Sequence, residues 1–157
     1  MWLDALALIA ALGSGLVAGV FFAFSTFVMK ALARLTPAEG IAAMQSINVV
    51  VLNPWFLGVF MGTALVAVAA IVGALLRWHG GTSPLLIAGG LLYLIGTFGV
   101  TIACNVPRNA VLAKIVRTDA GAASAWSDYV RTWTAWNHVR TAAGLAAAAA
   151  FTLAPGL

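Results

Sequence analysis

The chain has very few of the residues that enzymes use for acid–base, redox or metal chemistry. Its 157 residues include one cysteine, two histidines and four acidic residues, and only 8% of them are charged. A single cysteine, Cys104, excludes an internal disulfide and any cysteine-rich metal or redox motif. The four scattered acids argue against a carboxylate-bridged metal site, and no glycine-rich phosphate loop is present. The basic residues form no run suited to a nucleic-acid groove, so we expect neither a metal nor a nucleic-acid partner.

The sequence is rich instead in long apolar runs. Hydrophobic residues make up 63% of the chain, and the charged fraction lies far below the roughly 25% that is usual in soluble domains. The composition predicts an all-α integral membrane protein, a single domain over residues 1–157 that forms a four-helix bundle with four transmembrane spans. Short interfacial helices are expected in the first and third loops. The predicted spans cover Leu3–Met29, Pro54–Leu76, Pro84–Cys104 and a fourth helix that starts near Ser124.

Proline and asparagine mark where these helices begin and where one of them is interrupted. Thr36-Pro37-Ala38-Glu39 has the pattern of a capping box and predicts a short helix to about Leu52. Asn53-Pro54 starts the next span as N-cap and first helical residue. Because Pro107 lacks an amide hydrogen and clashes with the preceding turn, we expect the third span to break or kink within Asn105–Asn109. The two asparagines of that segment could satisfy the backbone groups that the break frees.

Small residues recur four positions apart in two of the spans. Gly15 and Gly19 form one such pair, and Gly58 and Gly62 form another. Pairs of this kind permit close contact between transmembrane helices. A homo-oligomer formed through these small-residue faces is therefore also expected.

The distribution of basic residues predicts how the protein is oriented in the membrane. The first loop carries Lys30 and Arg34, whereas the opposite side of the membrane has only Arg77. The third loop carries three more: Arg108, Lys114 and Arg117. The positive-inside rule then places the first and third loops in the cytoplasm and both termini outside, as expected for the bacterial inner membrane.

The stretch from Trp126 to Arg140 is the most unusual part of the sequence. In a helix, its residues at steps of three and four share one face: Trp126, Tyr129, Trp133, Trp136, Asn137 and Arg140. An uncharged apolar run follows directly, and a charge at membrane depth costs several kcal/mol unless it is paired or hydrated. One interpretation is interfacial anchoring, in which Arg140 reaches back to lipid phosphates. The other is a functional site inside the bundle.

The second interpretation is supported because three features come to the same, cytoplasmic half of the predicted bundle. They are the phenylalanine cluster Phe21–Phe27, the Asn105–Asn109 segment and the Trp126–Arg140 stripe. We therefore predict a pocket walled by the first, third and fourth spans that takes a planar, weakly acidic organic molecule. Arg140 should point into the pocket, within hydrogen-bonding reach of Asn105, Asn109 or the ligand. A bundle that is packed solid throughout is the alternative.

Two motifs resemble those of a known family. Asn-Val-Pro-Arg-Asn (105–109), followed by Trp-Thr-Ala-Trp-Asn-His-Val-Arg-Thr (133–141), is similar to the DUF1772 family of small membrane proteins. Phe24-Ser-Thr-Phe-Val-Met and Asn53-Pro54 are similar to that family too. The family includes fungal anthrone oxygenases, which oxidise anthrones to anthraquinones with molecular oxygen and without an evident metal or flavin. The resemblance implies a cofactor-independent membrane monooxygenase, with O2 as co-substrate and a small hydrophobic aromatic molecule as substrate.

The resemblance also implies roles for the residues of the predicted pocket. The catalytic group would comprise Arg140 and Asn137, which hold a developing oxyanion, and His138 as the nearest titrating side chain. The substrate-binding group would comprise Trp133, Trp136, Asn105, Asn109, Phe24 and Tyr129. The competing hypothesis is a non-catalytic membrane module that binds a lipid, a quinone or haem, with His138 as an axial haem ligand, or a small carrier. Membrane lipids are expected partners in either case.

Overall fold

The computed structural model describes residues 2–154, and every regular element within them is helical. We number five helices in chain order: α1 Trp2–Leu32, α2 Pro37–Val50, α3 Pro54–Leu76, α4 Thr82–Leu112 and α5 Ala122–Leu153. By length and composition, α1, α3 and α4 are able to cross a membrane, which fits a membrane protein. Within the described chain α5 does not meet that criterion, because its polar stripe interrupts the apolar sequence. The all-α class is therefore confirmed, whereas a bundle of four spans is not.

The four long helices pack around a shared apolar core. α1 packs against α3 and α5, and α4 packs against the same two helices. Glycines let the backbones approach closely, because a side chain at Gly96 would overlap Ala143 and a Cβ at Gly144 would lie 3.0 Å from the Ala18 Cβ. The core includes the buried rings of Phe21, Phe60, Tyr93 and Phe151. These contacts hold α5 between α1 and α4, which positions the site described below.

The glycine pairs that the sequence predicts as contact points face elsewhere. A Cβ placed on Gly15, Gly19, Gly58 or Gly62 would have no neighbouring atom within 4 Å. α1 instead approaches α3 at Gly13, where a side chain would overlap the Thr63 hydroxyl. Close contacts through the two pairs therefore do not form within the described chain, and the homo-oligomer stays a prediction.

The helix starts predicted at α2 and α3 are confirmed. The Glu39 amide donates to Thr36 Oγ1 at 3.4 Å and the Thr36 amide donates to the Glu39 carboxylate at 3.0 Å, which completes the capping box. Hydrogen bonds from Thr36 hold the pKa of the exposed Glu39 carboxyl below its usual value. Asn53 caps α3, since its side-chain oxygen accepts from the Phe56 amide at 3.0 Å. α2 is thus the short helix expected in the first loop.

Of the break or kink predicted at Pro107, the break is wrong, because α4 continues through this residue. The helix first changes pitch in π-helical turns at Leu92–Gly99 and Thr101–Asn105. Pro107 follows directly after the second of these turns, near the start of the α-helical segment Val106–Leu112. The separate short helix predicted in the third loop is also wrong, because residues 113–121 contain only turns and irregular backbone.

Candidate functional site

Arg140 lies inside the protein, although it carries a formal charge. The residue is 5% exposed, and its guanidinium carbon lies 3.8 Å from the centre of the Phe21 ring and 4.8 Å from that of Trp133. Nε donates a hydrogen bond to Asn137 Oδ1 at 2.8 Å, and Nη1 donates to Thr101 Oγ1 at 3.3 Å. The side chain therefore points inward, and neither of the two α4 asparagines is its hydrogen-bond partner.

No carboxylate pairs with Arg140 in the part of the chain that the structure describes. Asp128, the acid of α5, pairs with Arg131 at the protein surface instead. Neutral acceptors and two ring faces stabilise the guanidinium, and a desolvated cation–π contact contributes about 2 kcal/mol. The effective cost of burying an unpaired ion is several kcal/mol. Nη2 has no hydrogen-bond partner among residues 2–154, so the guanidinium keeps donors for an anionic ligand.

Asn137 connects Arg140 to α1. Its Nδ2 donates to the Phe21 carbonyl at 2.7 Å and to Ser25 Oγ at 2.6 Å, while its Oδ1 accepts from Arg140. α1 has a π-helical turn at Phe24–Val28, directly beside these contacts. π-helical turns disturb the regular pairing of backbone carbonyls and occur often at functional sites. At the π-helical turn of α1, Asn137 Nδ2 supplies a donor to the Phe21 carbonyl and to Ser25 Oγ.

A second polar cluster holds the aromatic part of the stripe against α4. Asn109 Oδ1 accepts from the Tyr129 hydroxyl at 2.9 Å and from Trp133 Nε1 at 2.8 Å. Asn105, which is 1% exposed, donates to the Trp133 carbonyl at 3.2 Å, but its Oδ1 has no partner in the described chain. Phe24 packs on the Trp133 ring with the ring centres 5.7 Å apart. Trp133 links the two clusters, because the guanidinium also lies over its ring.

We predict that Asn109→Ala lowers the free energy of unfolding by about 1–3 kcal/mol for each buried donor that it leaves unpaired. Tyr129→Phe removes one of these donors, so it should cost less in the Asn109→Ala background than in the wild-type protein, with a coupling of about 0.5–3 kcal/mol. Unfolding of the four proteins in detergent gives this coupling energy. Equal costs of Tyr129→Phe in both backgrounds would show that the hydrogen bond contributes nothing.

The structure brings together most of the site residues that the sequence predicts. The members of the two clusters are Arg140, Asn137, Trp133, Asn105, Asn109, Phe24 and Tyr129. Trp136 is not among them: it is 37% exposed, and the Arg108 guanidinium carbon lies 6.0 Å from its ring centre. His138 is exposed and lines a groove between α1 and α5. Consecutive helical residues point about 100° apart, and Asn137 takes the inward position between them.

Three hydroxyl residues belong to the site although they are not among the site residues predicted from the sequence. Thr101 accepts from Arg140, and Ser25 shares a 3.1 Å hydrogen bond with Thr141. A usable signal for Thr101 exists on α4, where polar residues recur every four positions at Thr97, Thr101, Asn105 and Asn109. No comparable pattern marks Ser25, because no residue three or four positions from it in α1 is polar.

Two grooves flank the clusters. One, of about 350 Å³, lies between the end of α4 and the start of α5 and reaches Tyr129. The other, of about 390 Å³, lies between α1 and α5 and reaches Ser25. Each groove therefore touches one member of the hydrogen-bonded network. Both lie where α1 and α4 end and α5 begins, in the half of the molecule for which the sequence predicts a pocket.

The usual metal-binding side chains do not gather in this part of the protein. Among residues 2–154, no three histidine, cysteine, aspartate or glutamate side chains come close enough to share a metal ion. The groups available for chemistry are a guanidinium, amides, hydroxyls and aromatic rings. They can hold and orient a polar aromatic molecule and stabilise negative charge on it.

The fold and the site define a class: a small helical membrane protein whose long helices enclose an arginine held by amides and aromatic rings. A family model described as Anthrone oxygenase matches residues 54–150. The chain therefore belongs to this family, the DUF1772 family, and the resemblance drawn from its motifs is confirmed. The matched region covers α3, α4 and most of α5, whereas α1 lies outside it. No curated protein and no solved structure matches the chain.

Proposed function

We propose that the protein is a cofactor-independent oxygenase of the anthrone oxygenase type, which oxidises a planar phenolic or anthrone-like molecule with O2 at Arg140. Family membership supports the type of reaction. The proposed location of the active site rests on one observation. The Arg140 guanidinium is buried and has no carboxylate partner in the described chain. A substrate that becomes an anion would supply the missing negative charge. Because this attraction grows as the charge develops, it lowers the barrier and does more than bind the ground state.

The surroundings of Arg140 favour a flat aromatic substrate. Phe24 packs against the Trp133 ring, and Trp133 lies against the guanidinium. A delocalised planar anion stacks favourably on such rings. Asn105 Oδ1 is a buried acceptor without a partner in the described chain, so it can accept from a substrate hydroxyl. We assign the oxyanion to Arg140, which Asn137 holds in place because both of its amide hydrogens are donated to α1, and the orientation of the rings to Trp133 and Asn105.

The proposed reaction balances without an external reductant. Loss of a proton from an activated CH2 group gives an enolate, whose oxygen accepts hydrogen bonds from Arg140. The enolate carbon then bonds to O2, and a returning proton gives a carbon hydroperoxide. Loss of water from the hydroperoxide leaves a carbonyl group, so the carbon loses the four electrons that O2 gains. One oxygen atom enters the product and the other leaves as water.

The group that accepts the substrate's proton bears on the choice between an oxygenase and a second, non-catalytic function. His138 faces the α1–α5 groove, and no carboxylate joins the two clusters in the described chain. A substrate whose anion Arg140 stabilises strongly can lose its proton to water and needs no protein base. A non-catalytic module that binds a lipid, a quinone or haem, or that carries a small molecule, needs no base either. Turnover separates the two functions.

The direct test is oxygen-dependent conversion of an anthrone by the purified protein in detergent. We expect equal amounts of O2 consumed and anthraquinone formed, one labelled carbonyl oxygen from isotopically labelled O2, and an unchanged rate after treatment with a chelator. Anthrones also oxidise spontaneously, so Arg140→Met protein at the same concentration is the matched control. Ligand binding with no rate above this control would favour the non-catalytic module.

We further propose that α5 forms a fourth span in the bacterial inner membrane, with the first and third loops in the cytoplasm and both termini outside. Two observations support this topology. α5 packs against both α1 and α4, which are candidate spans. The half of α5 after Arg140 contains no charged residue. Its apolar residues therefore lie at the depth of the neighbouring apolar helices.

Cysteine labelling tests this topology in a Cys104→Ala background. Leu35→Cys in the first loop and Ala120→Cys in the third should react with a membrane-impermeant maleimide from the cytoplasmic side. Gly80→Cys, in the second loop, should react from the opposite side. All three positions are exposed, so the introduced thiols are accessible to the reagent. Labelling of Leu35→Cys and Gly80→Cys from the same side would contradict the proposed topology.

A further inference from the structure

We propose that the groove between α1 and α5 binds the headgroup of an anionic phospholipid. The groove measures about 390 Å³ and is open to three basic side chains, Lys30, Arg131 and His138, while no acidic residue lines it. This inference depends on the membrane setting of the protein and not on the reaction proposed at Arg140. Ser25 borders both sites, but the groups proposed here to bind the headgroup are not those proposed to bind the substrate.

Polar hydrogens in the groove lack acceptors in the described chain. Lys30 and His138 are exposed, and neither takes part in a hydrogen bond or an ion pair among residues 2–154. The Thr134 hydroxyl is buried and also has no hydrogen-bond partner there. Such hydroxyls are rare, because buried polar groups are nearly always hydrogen-bonded. A phosphate oxygen would accept from Thr134 and would bring its negative charge to the ammonium group of Lys30.

The position of the groove favours a lipid over a soluble anion. Residues 5–29 of α1 contain no charged side chain, and Lys30 follows them directly. A lysine at the end of an apolar span reaches the depth at which headgroups meet the hydrocarbon. The groove therefore opens where phospholipid phosphates are concentrated.

The walls of the groove favour a lipid over a planar aromatic molecule. Beside its polar groups, the groove is lined by small or aliphatic side chains that include Met29, Ala33 and Val130, and no phenylalanine, tyrosine or tryptophan lines it. Such walls fit the glycerol group and the first methylene groups of an acyl chain. Apart from the exposed His138 imidazole, they offer no ring on which a flat substrate could stack.

The test is a titration of the purified protein in phosphatidylcholine nanodiscs with increasing fractions of phosphatidylglycerol. A ligand that binds the folded state raises the thermal midpoint, so we expect phosphatidylglycerol to raise it and added phosphatidylcholine to leave it unchanged. Inorganic phosphate and glycerol phosphate, added at matched concentrations, should have little effect. An equal shift with inorganic phosphate would assign the groove to a soluble anion and would overturn the proposal.

Two substitutions in the groove and one outside it complete the experiment. Lys30→Gln and Thr134→Val should each weaken the response to phosphatidylglycerol by about tenfold, because each removes a donor to a charged group. Lys114→Gln removes the same charge from the exposed third loop at the same end of the molecule and should keep the wild-type response. A response weakened equally by Lys114→Gln would show diffuse surface attraction and would overturn the site. Thr134→Val keeps the side-chain volume, so it carries the test alone where Lys30→Gln does not fold.

Discussion

Arg140→Met is expected to reduce oxygen-dependent turnover by about 10²–10³-fold, the usual effect of removing one oxyanion donor. The substitution should change the free energy of unfolding only slightly, because it has stabilising and destabilising effects that oppose each other. Methionine can fill the space between Phe21 and Trp133, and the substitution removes a buried cation whose desolvation costs several kcal/mol. It also leaves Asn137 Oδ1 and Thr101 Oγ1 without a donor, at about 1–3 kcal/mol each. These opposing effects are of similar size.

Arg140→Lys provides the control that keeps the charge. Lysine donates from a single nitrogen, whereas Arg140 donates to Asn137 and Thr101 from Nε and Nη1 at different positions, so lysine should not keep both bonds and also reach a ligand oxygen. We expect kcat/KM to fall for this variant too, although less than for Arg140→Met. Both kcat/KM and the thermal midpoint should be measured for each protein. If Arg140→Met unfolds readily but its folded fraction turns over at the wild-type rate, the arginine serves only the fold and the proposed function fails.

The sequence predicts the local features of this fold well, because they depend on neighbouring residues. The capping box at Thr36 and the Asn53 cap are complete within four residues, and both form. The course of α4 through Pro107 is different. π-helical turns before the proline keep the helix continuous, and whether such turns form depends on the packing of α4 against α3 and α5. Nothing in the Asn105–Asn109 segment alone reveals that packing.

The inward face of α5 shows how many of the site residues the helical period alone can predict. Most of its buried residues recur at steps of three and four over the whole helix: Ala122, Trp126, Tyr129, Trp133, Asn137, Arg140, Gly144, Ala147 and Phe151. Trp136 and Asn137 both stand at an allowed step from Trp133, three or four residues on, so both were predicted to face the site. Extending the pattern along the helix does not separate them, because Trp136 lies four residues before Arg140 and Asn137 lies three before it, and both steps are allowed. Only the packing of α5 against α1 and α4 shows that Asn137 is buried and Trp136 is partly exposed.

The choice of contact partners lies beyond the sequence. A pattern of glycines shows where helices can approach, but α1 meets α3 at Gly13 and not at the Gly15–Gly19 pair. In the same way, the sequence predicts that Arg140 points into the bundle, but its partner Thr101 lies on α4 and depends on how α4 and α5 are rotated and offset. A rotation of either helix by one residue would exchange Thr101 for another partner.

Asn137→Asp is expected to reduce turnover strongly, because it places a negative charge beside Arg140. Asn137 Oδ1 lies 2.8 Å from Arg140 Nε, so a carboxylate at this position would form a charge-assisted hydrogen bond and neutralise the guanidinium. Turnover should then fall about as far as in Arg140→Met. The Ser25 hydroxyl, which accepts from Asn137 in the wild-type protein, can donate to the carboxylate by giving up its hydrogen bond to Thr141. The Phe21 carbonyl loses its donor as it does in Asn137→Ala, at a cost of about 1–3 kcal/mol, and the new pair with Arg140 offsets part of this loss.

Asn137→Ala separates the charge on Arg140 from the structural role of the asparagine. It leaves Arg140 Nε and the Phe21 carbonyl without a partner and should cost about 1–3 kcal/mol of stability for each group. It also leaves the guanidinium unpaired and free for the substrate anion. Per folded molecule, we therefore expect Asn137→Ala to turn over faster than Asn137→Asp, although it is the less stable protein. A purely structural role predicts the opposite order, in which activity follows the thermal midpoint, and kcat/KM measured beside that midpoint decides between the two.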